Sequence, residues 1–159
     1  MASLVPYLIF LHIFSAIVAF GPTYAFAIYG AQGAKEPQHA NFIARANHLV
    51  SDRLVFPIVL SMPVTGILII LASGRDLTKS AWLAAAIVLY VFAVLYSYFV
   101  QRPAILRIIE LTSTPPPPGS TGGPPPEVVA TGAKIRRGGM ILGLTVIVIV
   151  FLMVVKPGQ

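Results

Sequence analysis

His12 stands eight residues beyond Leu4, inside a run that holds no Asp, Glu, Lys or Arg from Leu4 to Tyr29. At 1.5 Å per helical residue its imidazole falls about 12 Å from the start of that run, near the middle of a hydrocarbon core of about 30 Å. An ionisable group at such depth has two readings: a functional ligand, such as an axial ligand of haem, or a neutral imidazole hydrogen-bonded inside a bundle. A second set, Asn41, Arg45, His48 and Asp52, is spaced i, i+4, i+7 and i+11, which stacks the four side chains on one helical stripe. Asp52 can orient His48 and Arg45 can hold an anion or a lipid phosphate; otherwise the stripe is the wet face of a helix leaving a membrane. His39 lies too far along its connection for a zinc site with these groups. No catalytic triad, carboxylate pair or phosphate loop is present, and an enzymatic activity is not expected.

The elements that position these groups follow from composition. Of 159 residues 57% are apolar and 10% charged, too few charges for a soluble globule. The chain has no cysteine, which removes disulfides, thiolate nucleophiles, iron–sulfur clusters and covalent c-type haem. Its net charge of +6 comes from cations that flank apolar runs rather than forming a stripe, so nucleic-acid binding is not expected. Four uncharged stretches are long enough to span a bilayer: residues 4–29, 54–74, 80–101 and 138–155. They do not alternate as barrel strands would, so the fold class is all-α, a single four-helix transmembrane domain. Ala25-Phe26-Ala27 has the form of a signal-peptidase site, but no cation precedes the run and it exceeds a signal core, so an uncleaved helix is expected. Pro22, Pro57 and Pro63 are expected to kink their helices.

Lys and Arg are distributed eight to three between the two sides, with Lys35, Arg45, Arg53, Arg102, Arg107, Lys134, Arg136 and Arg137 opposite Arg75, Lys79 and Lys156. That asymmetry places both termini outside and two long loops in the cytoplasm. Residues 114–127 read TPPPPGSTGGPPPE, a flexible polyproline linker whose Pro-x-x-Pro spacing arises automatically. Pro103 to Thr112 reads as a short interfacial helix. Gly139 and Gly143 form a GxxxG pattern suited to close packing within the bundle. Tyr7, Tyr29, Tyr98 and Trp82 read as interface markers.

Equal distances from the outer helix ends mark one layer of the bundle. His12 then shares its depth with Met62 to Thr65, with Leu89 and Tyr90, and with Thr145 to Ile147. A neutral His12 would meet Tyr90, Thr65 or Thr145; a haem-bound one would find Met62 as a second axial ligand, unless Met62 is a pliable apolar filler. His48 lies roughly 20 to 25 Å lower, too far to share a haem within one chain.

The strings LIFLHIFSAIVAFGP, RANHLVSDRLVFPIVLSMPVTGILII and VIVIVFLMVVKP resemble an uncharacterised family of bacterial four-helix integral membrane proteins, over most of the chain except the proline-rich loop. More distantly the chain is similar to CopD-type copper-resistance domains and HemJ-type protoporphyrinogen oxidases, whose first helix also carries a leucine-histidine pair, here Leu11-His12. That resemblance implies a b-haem at His12. The chain departs from the HemJ pattern after Trp82-Leu83, where Ala84, Ala85 and Ala86 stand instead of a lysine. The expected function is a small binding or accessory subunit of the bacterial inner membrane, in contact with lipid and with a membrane protein or a second copy. A b-haem redox protein using His12 and Met62 is the alternative, and a copper-handling domain the third.

Overall fold

The computed structural model describes residues 4–74, 76, 80–114 and 123–158. Helix α1 runs Val5–Lys35, and Glu36 alone separates it from α2, Pro37–Val50. A π-helical turn, Ser51–Val55, carries α2 into α3, Phe56–Ser73. Helix α4, Ala81–Tyr96, passes through a second π-helical turn, Ser97–Gln101, into α5, Arg102–Leu111. Helix α6 covers Pro126–Val155. The result is an all-α bundle of four long stretches, of 31, 37, 31 and 30 residues, each long and apolar enough to cross a membrane.

The stretches are longer than the apolar runs. The 31 residues of α1 extend about 46 Å, against a hydrocarbon core of about 30 Å. The excess lies at one end, which carries Glu36, the end of α5 at Leu111 and the start of α6 at Pro126; this is the projecting end, and Ser73 and Ala81 mark the short end. The connections expected as long loops are therefore largely helical. The physical reason is their periodicity: α2 and α5 are amphipathic and pack against each other, so each covers an apolar face that a loop would leave wet. Of the expected proline-rich linker, residues 115–122 lie outside the described residues, as do Arg75 and Lys79. Its last residues belong to α6, with Pro126 in the first turn, where a missing N–H costs nothing.

A proline follows each π-turn. In a continuing α-helix the ring of Pro57 would strike the carbonyl four residues earlier, and it has no N–H to donate. Both π-turns end two residues before such a helix-start proline, and both follow one spacing, Ser51 to Pro57 and Ser97 to Pro103. The widened turn takes up the missing bond while the chain stays helical. Pro22 and Pro63 sit within α1 and α3, which continue through them.

Outward faces carry Phe10, Ile17, Leu60, Leu71, Phe151 and Val154, all exposed and suited to lipid. Inside, small and medium residues let helices approach: Ala19, Val59 and Met62 form the core between α1 and α3. The closest glycine contact is at Gly138, not in the GxxxG pair. A Cβ on Gly138 would collide with the Gln101 side chain and lie 3.4 Å from Tyr96, whereas one on Gly139 would meet nothing within 4 Å and one on Gly143 only Tyr24, at 3.8 Å.

Candidate functional site

At the projecting end the polar stripe of α2 faces α5 and divides into two jobs. Asn41 Nδ2 donates to the Ile109 carbonyl at 2.8 Å and lies 3.1 Å from Thr112 Oγ1, which itself donates to the Ile108 carbonyl at 2.7 Å. Asn41 thus gives the Ile109 carbonyl, in the last turn of α5, a partner from another helix, while Ile108 also receives the Thr112 backbone N–H at 3.0 Å. Asn41 is therefore a structural clasp.

His48 and Asp52 belong to a second network. His48 Nε2 lies 3.6 Å from Asp52 Oδ2, and the same carboxylate receives Arg102 Nη2 at 3.1 Å and Arg102 Nε at 3.5 Å. The Arg102 guanidinium also lies 5.8 Å from the Tyr98 ring, which meets Phe56 edge-on at 6.2 Å. The ion pair thus ties Asp52 of the first π-turn to the start of α5, and the aromatic contact ties Tyr98 of the second π-turn to the start of α3. The Arg102 fork holds the Asp52 carboxyl below its ordinary value; partial burial opposes this, and the fields of His48 and Arg53 add to it. Arg45, His48, Asp52 and Arg53 line an open cleft floored by Leu106 and Ile109 of α5. Among the described residues Arg45 makes no ion pair.

Arg102 does not figure among the sequence-derived candidates. It stands fifty positions from Asp52. The signal was available as depth: Asp52 lies just before the second apolar run and Arg102 just after the third, so the two share one level. At the same end, Arg107 bonds Glu110 at 2.7 Å and Glu127 at 2.5 Å, tying α5 to the first turn of α6.

In mid-span, His12 Nδ1 lies 2.7 Å from Thr65 Oγ1, and the Thr65 hydroxyl donates to the Met62 carbonyl at 2.9 Å. With its proton so committed, Thr65 accepts the Nδ1 proton of His12, and Nε2 keeps its lone pair. A Cβ on Gly66 would lie 3.6 Å from His12 Cε1, an ordinary contact, so the ring packs directly against the backbone of α3 there. Of the other hydroxyls in this layer, Tyr90 donates to the Val59 carbonyl and Thr145 to Ile141 of its own helix. The Met62 side chain is buried in the core with Ala19 and Val59. His39 is exposed, 3.9 Å from Glu36, and no group of three His, Asp or Glu side chains converges among the described residues.

No curated protein and no solved structure matches this chain. A family model does, over residues 6–157. Four apolar helices with lipid-facing outer surfaces agree with its description, and the chain belongs to the predicted integral membrane protein family DUF2269.

Proposed function

We propose that this protein is a small, non-catalytic binding or accessory subunit of the bacterial inner membrane, with both termini outside and the projecting end in the cytoplasm as its working end. The observation that carries this reading is the pairing of the π-turns. Widened turns recur at functional sites; here two of them flank the cluster of Asp52, Arg102 and His48, beside a cleft lined by Arg45, which makes no ion pair among the described residues. Such a network is not needed to cross a bilayer, and it presents charge and hydrogen-bond donors to a membrane protein or a second copy. A photo-crosslinking residue at position 45, in native membranes, should give one adduct of discrete mass, and the same residue at lipid-facing position 71 none. Only lipid-sized adducts at both positions would sink the proposal.

A second reading, a b-haem redox protein, is favoured by one observation. The Thr65 hydroxyl fixes the imidazole of His12 so that Nε2 is the bare nitrogen, the arrangement by which a neighbouring acceptor orients an axial histidine. The residues present fit one axial ligand; Met62 would have to turn its sulfur out of the core to supply a second. The test is a reduced-minus-oxidised spectrum of protein expressed with ample haem. About one haem per chain, lost in His12→Ala, supports this reading. A folded, colourless protein overturns it.

A further inference from the structure

A cleft of about 500 Å³ opens between α6 and the end of α4, on a different helix seam from the Asp52 network. Its lining includes Tyr96, Ala130, Ala133, Lys134, Arg137 and Ile141. Ala130 and Ala133 make it hollow, because neither side chain reaches across. Lys134 and Arg137, three residues apart on α6, present their charges on neighbouring positions of one face. No acidic residue lines the cleft, and neither cation makes an ion pair among the described residues; Glu127, the acid nearest in sequence, is held by Arg107.

Depth supplies the second half of the argument. Arg137 is the last charge before the apolar run that begins at Gly138, so it stands at headgroup level, while Ile141 lies one turn inside the hydrocarbon. From Ala130 to Ile141 the cleft follows α6 for about 16 Å, crossing from the aqueous side through the phosphate layer to the upper acyl chains. A soluble anion would need only the charged half. The Tyr96 ring and Ile141 complete an apolar half that water does not solvate well.

We propose that this cleft binds an anionic phospholipid, with its phosphate between Lys134 and Arg137 and its upper acyl chain against Tyr96 and Ile141. This binding is independent of the partner surface at Asp52 and Arg102, and either can fail alone.

The test titrates the purified full chain, in a zwitterionic detergent, with dioctanoyl phosphatidylglycerol, dioctanoyl phosphatidylcholine or inorganic phosphate, reading the thermal unfolding midpoint. Phosphatidylglycerol should raise the midpoint saturably and the other two should not. Each basic residue near an anionic group contributes about fivefold, so Lys134→Gln with Arg137→Gln should weaken apparent affinity about thirtyfold. Arg136→Gln, exposed and outside the lining, should leave it unchanged. Ala133→Leu, which fills the hollow and keeps both charges, should also abolish the shift, and it decides the matter if the double variant does not fold. An equal shift with phosphatidylcholine would show an apolar groove without headgroup recognition, and an equal shift with inorganic phosphate would show a site for a free anion. Either result overturns the proposal, as does unchanged affinity in the double variant or in Ala133→Leu.

Discussion

The His12–Thr65 bond joins α1 to α3 in mid-span, where water does not compete for either partner. Interhelical hydrogen bonds in such surroundings contribute about 0.6 to 1.7 kcal/mol, so a double-mutant cycle between His12→Ala and Thr65→Val should return a coupling in that range. Thr65→Ser, which keeps the hydroxyl, should retain most of it; a cycle that closes to zero would remove the bond from the account. Asp52 behaves differently because it titrates at the membrane boundary. Arg102 holds its carboxyl below the ordinary value of 3.8, so the folded protein binds that proton less readily than the unfolded chain does. The contribution of the link is whole above the ordinary value and is lost as pH falls through the lower, folded one. Unfolding midpoints of the native chain and of Asp52→Asn should differ at about pH 5 and converge as the pH falls below about 4. A gap that stays undiminished below about pH 3 would contradict the ion pair.

Among the elements, α6 offers a test of which glycine matters. At Gly138 an added side chain meets Gln101, whose Nε2 donates to the Ile135 carbonyl at 3.0 Å, and the Tyr96 ring; relief would cost that bond or push the helices apart. Gly138→Leu should therefore destabilise by about 1–3 kcal/mol, the usual cost of overpacking. Gly139→Leu enters open space and should change stability by less than about 0.5 kcal/mol, as substitutions away from contacts do. Thermal or denaturant midpoints in detergent distinguish the two, and equal effects would place the close approach elsewhere. The GxxxG spacing points to Gly139 and Gly143, one position away, because sequence marks small residues without saying which face Gln101 reaches. The four apolar runs were legible because hydropathy is local, and the layer argument reached Thr65 as a partner of His12 because helix depth is additive. The stripe of α2 was legible for the same reason. Its partner Arg102 was open to the same depth argument, which gives its level; the face that turns it towards Asp52 was not, since π-turns stand beside both residues and no period of 3.6 describes their widening. The helical course of the connections was legible in part, α5 as the interfacial helix expected over Pro103 to Thr112 and α2 through its stripe; the packing of their apolar faces on each other shows only when both are read for period.

The molecule as a whole is lopsided. Each long stretch exceeds a bilayer, the excess is gathered at one end, and that end carries eight of the eleven Lys and Arg residues. Helices could in principle be shifted along the membrane normal, but the charge-free runs allow little movement, because each further turn would draw Arg53, Arg102 or Arg137 deeper towards the hydrocarbon centre, where a charge is most costly. The proposed function takes the projecting end to be cytoplasmic, the side to which a positive-inside bias points. The chain has no cysteine, so single cysteines can be introduced without a background to remove. Thr114→Cys, exposed at the projecting end, should resist a membrane-impermeant maleimide in intact spheroplasts and react after lysis, whereas Pro157→Cys, exposed beyond α6 at the short end, should react in both. The reverse pattern would place the Asp52 network and both basic clefts outside the cell, and with them any partner they hold. Labelling of both positions in intact spheroplasts would mean that the chain inserts in two orientations, and an eight-to-three bias would then be too weak to fix which solvent the projecting end meets.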